Sequence, residues 1–199
     1  MTLLTLLVML VSSAPQPTEA EIAWIAQGEF CEPETVLPLP DDTLLISNVC
    51  DFRTAGNGFL SLLDLNGTVL DWRHVDGLDA PLGMALHEHR LYLVDNNRLK
   101  IFSWPEWERL ETIELNTAVA NDVTVTSNGT AFVTDTARHR VIKVMPDGAQ
   151  SIVAGGFHFE GANGIEARND AVYVGGLKLW KFMVTNEQVT EVGPDWVSD

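Results

Sequence analysis

Residues 121–143 alternate apolar and polar positions over most of their length. Valines alternate with polar residues at 122–126, and a mainly apolar run at 131–134 follows a Ser-Asn-Gly turn. A period of two with β-branched residues is typical of strands that pack one face in a core. Asn-Gly is favoured where a two-residue hairpin turn needs positive φ. The pattern predicts a strand, a tight turn at Asn128-Gly129, a second strand, a polar loop and a third strand.

The strand–turn–strand unit recurs along the chain. Its four copies span residues 34–48, 83–95, 121–135 and 163–175. A third short apolar run follows each copy, and a turn and a fourth run come after it. Four short strands in a unit of roughly 40 residues are typical of a β-propeller blade. We therefore predict an all-β β-propeller, with about four blades of four antiparallel strands present. A β-sandwich is the alternative, although it does not require a repeated unit.

The beginning of the chain has a different character. An apolar run at 1–11 precedes small residues at 12–14, and it is shorter than the roughly 20 residues that a bilayer span needs. This pattern predicts a signal peptide over 1–20, with cleavage after Ala14 or Ala20. We therefore expect a periplasmic or secreted protein, with no membrane span in the mature chain. No Lys or Arg precedes the apolar run, so a frayed apolar N-terminus is the alternative.

The two cysteines support an oxidising compartment. Cys31 and Cys50 lie at equal distances from the Pro40-Asp41 pair, where a hairpin turn is predicted. Folding there would bring the two cysteines face to face, which favours a disulfide in an exported protein. Two unrelated buried thiols are the alternative.

The charge of the chain restricts its partners. The formal net charge is −16 at pH 7. An acidic surface of this kind repels the phosphates of nucleic acids and anionic membranes. We therefore expect no nucleic-acid partner.

Several motifs, in order along the chain, resemble those of the gluconolactonase, regucalcin (SMP-30) and LRE-like β-propeller family. The third unit also resembles an NHL-type blade. The family has six blades, so the resemblance implies that residues 33–199 form an incomplete propeller, truncated at the C-terminus, after a linker at 21–32. The motifs that carry the resemblance are PETV at 33–36, SNV at 47–49, GNGFLSLL at 56–63, GLDAPLGMALHEHRLYLVD at 77–95, NDVTVTSNGTAFVTD at 121–135 and EGANGIEARNDAVYVGG at 160–176.

The starts of the four units are the candidate functional positions. In a propeller the first strand of each blade lines the central channel, so residues far apart in sequence converge at its mouth. The unit starts are Glu34, Gly83, Asn121 and Asn163. Three of these carry side-chain oxygens, which hard divalent cations take as ligands. The spacing therefore predicts a cation site at the channel mouth.

The family resemblance implies roles for the same residues. Glu34 and Asn163 match metal ligands, and Asn121 matches a residue beside the substrate. The resemblance thus implies a lactonase that uses Ca²⁺, Zn²⁺ or Mg²⁺ to hydrolyse a sugar lactone or another small lactone. The family's catalytic Asp, in its fifth blade, is expected beyond residue 199, so no catalytic base is identified. The alternative is a non-catalytic, NHL-like scaffold that binds a ligand or a protein.

Other polar residues have structural interpretations. Asp95 and Asp135 end their units, and Arg98 and Arg140 follow them, as expected of residues that cap loops between strands. His87 and His89 form a His-x-His pair, which suggests zinc. Because the pair falls where a hairpin turn is predicted, we favour a solvated turn.

Overall fold

A computed structural model of the chain, described here for residues 22–154 and 157–192, contains sixteen strands in four sheets. The predicted signal peptide at 1–20 lies outside the described residues. Within these ranges there is no α-helix, and no helix has the length and apolar character needed to cross a membrane. The strands are β1 (Pro33–Pro38), β2 (Thr43–Asn48), β3 (Gly58–Asp64), β4 (Val69–Leu78), β5 (Pro81–His87), β6 (Arg90–Asp95), β7 (Arg98–Ser103), β8 (Arg109–Glu114), β9 (Ala120–Val125), β10 (Ala131–Asp135), β11 (Arg140–Val144), β12 (Gln150–Ala154), β13 (Ile165–Arg168), β14 (Ala171–Gly175), β15 (Leu179–Met183) and β16 (Val189–Glu191).

Each sheet is an antiparallel meander of four strands in chain order, and we number these sheets blades 1 to 4. The first strands of consecutive blades are neighbours: β1 lies beside β5, β5 beside β9, and β9 beside β13. Backbone and side-chain contacts reinforce this order, because the Ala167 N–H donates to Thr124 Oγ1 across the boundary between β9 and β13. The prediction of an all-β propeller with four four-stranded blades is confirmed.

The core lies between the blades. Leu45 and Leu60 of blade 1 pack with Leu91 and Leu93 of blade 2, and all four side chains are fully buried. Equivalent clusters join blade 2 to blade 3 and blade 3 to blade 4. Alternate side chains of each central strand point to opposite faces of the blade. A central strand that is apolar at almost every position therefore contributes to the core on both sides of its blade.

The hairpin turn between β9 and β10 differs from the sequence prediction. Thr126 C=O accepts the Gly129 N–H, and the Thr126 N–H donates to Thr130 C=O. Gly129 has φ +79°, whereas Asn128 does not have positive φ. The loop therefore has three residues, a type I turn followed by a left-handed glycine, and the prediction of a two-residue turn is wrong. The Asn128 side chain stabilises this form, because its Oδ1 accepts hydrogen bonds from Thr126 and Thr130.

Buried polar side chains fasten the loop that enters each of the first three blades. Asp95 Oδ1 accepts the N–H groups of Asp79 and Ala80, just before β5. Asp135 Oδ1 accepts the N–H groups of Ala118 and Val119, just before β9. In blade 1, Asn48 takes the corresponding part and accepts the Cys31 N–H through Oδ1. The loop-capping role predicted for the two aspartates is confirmed.

Each of these aspartates also has a cationic neighbour. Lys100 forms an ion pair with Asp95, and Arg140 Nε lies 3.0 Å from Asp135 Oδ2. Arg98 instead pairs with Asp79 at 2.7 Å.

The segment before β1 covers the face of blade 1 that points away from blade 2. It has no regular secondary structure over residues 22–32, which the sequence predicts as a linker. Ala26 and Phe30 pack against Leu44, Ile46 and Leu63 of blade 1. Cys31 and Cys50 form a disulfide, with Cα atoms 4.7 Å apart, and the Cys50 N–H donates to Cys31 C=O.

Candidate functional site

The central channel is a cavity of about 520 Å³. Residues of β1, β5, β9 and β13 line it, one strand from each blade. At the end where these strands begin, the lining residues include Thr35, Asp122 and Glu166. We call this end the channel mouth.

Asp122 is held rigidly at the channel mouth. Its Oδ2 accepts the Ile165 N–H of blade 4 at 3.0 Å, and its Oδ1 accepts the Val123 N–H at 2.8 Å. On its other side lies Gly83 of blade 2, where an added Cβ would sit 2.0 Å from Asp122 Oδ1 and 2.5 Å from Asp122 Cα. Only a residue without a side chain permits this approach. The carboxyl group is thus wedged between blades 2 and 4.

The surroundings of Asp122 raise its pKa to about 6. Partial burial is the main cause, because it disfavours the charged form. The N–H groups of Ile165 and Val123 oppose this effect, whereas the negative charges of Glu34 and Glu166 add to it. A carboxyl group whose pKa lies near neutral pH is suited to exchanging protons with a substrate.

The predicted site residues lie around this carboxyl group. Glu34, in β1, is exposed and close enough for its charge to act on Asp122. Asn121, in β9, is the residue before Asp122 and is partly buried. Asn163 is exposed and lies two residues before Ile165, whose N–H binds Asp122. Gly83 supplies space for Asp122 rather than a ligand atom.

Asp122 itself is absent from the predicted site. The pairing between β9 and β10 shifts register between Val133 and Asp135, so both Asn121 and Asp122 lie opposite Thr134. A bulge of this kind changes the direction of the side chains beside it. If the side chains of β9 alternated strictly, Asn121 would be the one residue of the Asn121-Asp122 pair to face the channel mouth. The signal that could have revealed Asp122 is the Asn-Asp pair itself, two polar residues at the start of an otherwise alternating strand.

The donor chemistry of the mouth suits a hard divalent cation. Glu34, Asp122 and Glu166 offer carboxylate oxygens, Asn121 and Asn163 offer amide oxygens, and the like charges around Asp122 would be relieved by a cation. The described residues contain no group of three or more His, Cys, Asp or Glu side chains placed to hold a metal ion. The mouth therefore has suitable ligands without a preformed cage of acidic side chains.

A second cavity, of about 380 Å³, lies between blades 2 and 3 at the opposite end of the strands. His87, Arg90 and Glu111 are among the residues that line it. His87 ends β5, and His89 lies in the β5–β6 turn and stacks on Trp104 with ring centroids 6.2 Å apart. The channel mouth is the better candidate site, because it holds a carboxyl group that two N–H groups fix in place and whose pKa is raised to about 6.

Comparisons with known proteins support the fold. No family model and no curated protein sequence matches the chain. Among solved structures it is similar to virginiamycin B lyase from Staphylococcus aureus, solved with quinupristin (TM-score 0.66, 13% identity, 84% of this chain and 57% of that one). It is also similar to a gluconolactonase from Xanthomonas campestris (TM-score 0.60, 16% identity, 81% and 60%). A third is regucalcin, a calcium-binding protein from Agrobacterium tumefaciens (TM-score 0.57, 14% identity, 71% and 52%).

The chain spans less than two thirds of each of these three structures. At such low identity the likeness concerns the fold. The chain is a β-propeller whose structural neighbours include a gluconolactonase and a regucalcin, as the resemblance in sequence motifs implies.

Proposed function

We propose that this chain is a lactonase-like propeller that binds a small lactone at the channel mouth and hydrolyses it. The observation that carries the proposal is the position of Asp122: a partly buried carboxyl group, fixed by two N–H groups and facing a channel large enough for a small molecule. The fold shared with a gluconolactonase supports the same chemistry at a coarser level.

In the proposed reaction Asp122 acts as the general base. With a pKa of about 6, its carboxylate is the major form at pH 7. It accepts a proton from a water molecule whose oxygen attacks the carbonyl carbon of the lactone. The ring C–O bond then breaks, and the departing alkoxide takes up the proton to give a hydroxy acid. The hydrogen bonds from Ile165 and Val123 fix the direction of the accepting oxygens, so little reorganisation is needed.

A divalent cation is part of the proposal. Glu34 and Asn163 would hold Ca²⁺, Zn²⁺ or Mg²⁺, and Asn121 would contact the substrate. When bound, such a cation polarises a carbonyl group and stabilises the charge that develops on its oxygen. The chain's own contribution is to place a proton acceptor, Asp122, beside those residues.

The decisive experiment is lactone hydrolysis by the purified chain and its Asp122→Asn variant. Loss of the general base predicts a fall in kcat/KM of about 10²- to 10⁴-fold. Asp147→Asn is the matched control, because Asp147 caps a hairpin turn of the same blade through the Ala149 N–H. Treatment with a chelator, and the Glu34→Gln and Asn163→Ala variants, test the cation. Unchanged hydrolysis by Asp122→Asn would overturn the role of Asp122.

A second candidate function is a ligand-binding scaffold without catalysis. It is favoured by the lack of a preassembled group of three acidic or imidazole side chains among the described residues. Calorimetry with a panel of lactones would separate the two candidates. A scaffold predicts binding to both the parent and Asp122→Asn without turnover, whereas an enzyme predicts turnover that only the parent performs.

We also propose that the chain acts outside the cytoplasm. The Cys31–Cys50 disulfide in the segment that covers blade 1 is consistent with an oxidising compartment. Fractionation of expressing cells would test this, and recovery of a reduced, uncleaved chain from the cytoplasm would contradict it.

A further inference from the structure

A single buried hydroxyl group joins two parts of the channel mouth. Thr134, in β10, has no exposed surface. Its Oγ1 accepts the Asp122 N–H at 2.9 Å and donates to Asn163 C=O at 2.8 Å. One hydroxyl group therefore fixes the backbone of the proposed base and the backbone of a proposed metal ligand, which belong to different blades.

The Thr134 hydroxyl group provides a hydrogen-bond acceptor for a backbone N–H group at the bulge in β9. Because Asn121 and Asp122 both lie opposite one residue of β10, the Asp122 N–H has no carbonyl partner in the ladder. In blade 1 the register also shifts at the start of β1, and Ser47 Oγ accepts the Thr35 N–H at 2.9 Å. Between these two hydroxyl groups of the described residues, Thr134 of blade 3 is the one that also reaches the next blade.

Blade 2 provides the contrast. Its register shifts between Pro81 and Met84, as in blades 1 and 3. The residue before Asp95 is Val94, which has no hydroxyl group, and the inner strand carries Gly83 instead of a polar residue. Among blades 1 to 3, whose inner strands all shift register, a hydroxyl group thus accompanies the two blades that place polar side chains at the mouth and is missing from the blade that only makes room. Blade 4 has no register shift in this pairing and carries Val174 at the equivalent position.

The loop before β13 is held from blade 3 at two further points. Thr136 Oγ1 donates to Ala162 C=O at 2.5 Å. The Gly161 N–H donates to His139 Nδ1 at 3.1 Å, so neutral His139 carries its proton on Nε2. Together with Thr134, these residues hold the loop against blade 3, while Asn163 itself remains exposed.

We propose that Thr134 is a positioning residue of the channel mouth, setting Asp122 and Asn163 at a fixed separation. The inference rests on the proposed function, since it assigns Thr134 a role in the same site. Thr134 does not touch the substrate. Its effect on hydrolysis arises because a displacement of about 1 Å in a catalytic group lowers the rate by up to about 10²-fold.

The test compares Thr134→Val with Thr134→Ser. Valine keeps the shape and removes the hydroxyl group, which leaves the Asp122 N–H and Asn163 C=O without their partner. We expect kcat to fall about 10- to 100-fold, with KM changing much less, and serine to restore most of the loss. Thr130→Val is the matched control: Thr130 is also buried and directly precedes the same strand, at the end opposite Asp135.

A second measurement, amide hydrogen exchange, does not depend on activity. In Thr134→Val the Asp122 amide should exchange faster than in the parent, and in Thr134→Ser it should remain protected. The Val123 and Ile165 amides, which donate to the Asp122 carboxylate, should also exchange faster in Thr134→Val than in the parent.

The outcomes are distinguishable. If the parent hydrolyses no lactone, the proposed function fails, and exchange alone decides whether Thr134 holds the two blades together. If the parent is active but Thr134→Val keeps its kcat, or serine fails to rescue it, the positioning role is overturned. Equal losses in Thr134→Val and Thr130→Val would also overturn it, because they would indicate a general loss of stability.

Discussion

Two kinds of aspartate occur in the inner part of this propeller. Asp95 and Asp135 are fully buried, and each accepts two backbone N–H groups and pairs with a cation. Asp122 also accepts two N–H groups, but its charged neighbours are Glu34 and Glu166. Among the described residues, the first kind of aspartate has a cationic partner and the second kind does not.

The contrast shows how one side-chain type serves two purposes. A buried carboxylate beside Lys or Arg ties loops to strands through the backbone N–H groups that it accepts. A partly buried carboxyl group whose charged neighbours are acids has its pKa raised, chiefly by burial, and it retains the capacity to take up a proton or attract a cation. The predictions below test this division, beginning with the largest expected effect.

Asp95→Ala should destabilise the fold by about 3–5 kcal/mol, because it leaves the buried Lys100 ammonium and two N–H groups without their partner. Urea unfolding followed by circular dichroism would measure the change. The double variant Asp95→Ala/Lys100→Met serves as the control, since it removes the uncompensated charge and should recover part of the loss. A change of less than about 1 kcal/mol would contradict a structural role for this pair.

The contribution of Asp122 to the stability of the fold should depend on pH. Its pKa is about 6 in the folded chain, above the roughly 3.9 of an unfolded Asp. The raised pKa stabilises the fold below about pH 4, and this contribution is lost as pH rises through 6. Asp122→Asn lacks this titration, so its stability relative to the parent should increase by roughly 1–3 kcal/mol between pH 4 and pH 7.

Unfolding of both proteins across this pH range, in the presence of a chelator, would measure the difference. A difference that does not change with pH would mean that Asp122 has an ordinary pKa, and the contrast with Asp95 would lose its basis.

Asp79→Ala should have the smallest effect, about 0.5–1 kcal/mol. Asp79 pairs with Arg98 at 2.7 Å, close to Asp95, but the Arg98 side chain is 33% exposed. The Asp79 N–H that binds Asp95 belongs to the backbone and survives the substitution. The same urea titration applies, and a loss as large as that of Asp95→Ala would show that burial does not separate these two pairs.

The sequence predicts the architecture well because that architecture depends on repetition. The four units and the period-two alternation reflect apolar side chains that fill the core between blades. Leu45 and Val133, for example, are fully buried there. The two fastening aspartates are also predictable, since each ends its unit and precedes a basic residue by a few positions.

Details that depend on backbone geometry are not predictable in this way. The choice between Asn121 and Asp122 depends on a register shift opposite Thr134, and alternation alone does not contain it. The turn at Asn128 follows from hydrogen bonds made by its side chain rather than from its φ preference. The link from Thr134 to Asn163 crosses between blades, so no local pattern signals it.

The segment before β1 has a practical consequence for anyone who expresses this domain. Phe30 lies edge-to-face on Trp72, 5.0 Å between ring centroids, and Gly28 passes so close to Trp72 that no side chain fits there. A recombinant chain that begins at Pro33 would lose this cover and the disulfide, and would bare Leu44, Ile46 and Leu63 to solvent. Aggregation of such a truncated protein into inclusion bodies would reflect a misplaced N-terminal boundary rather than an unstable propeller.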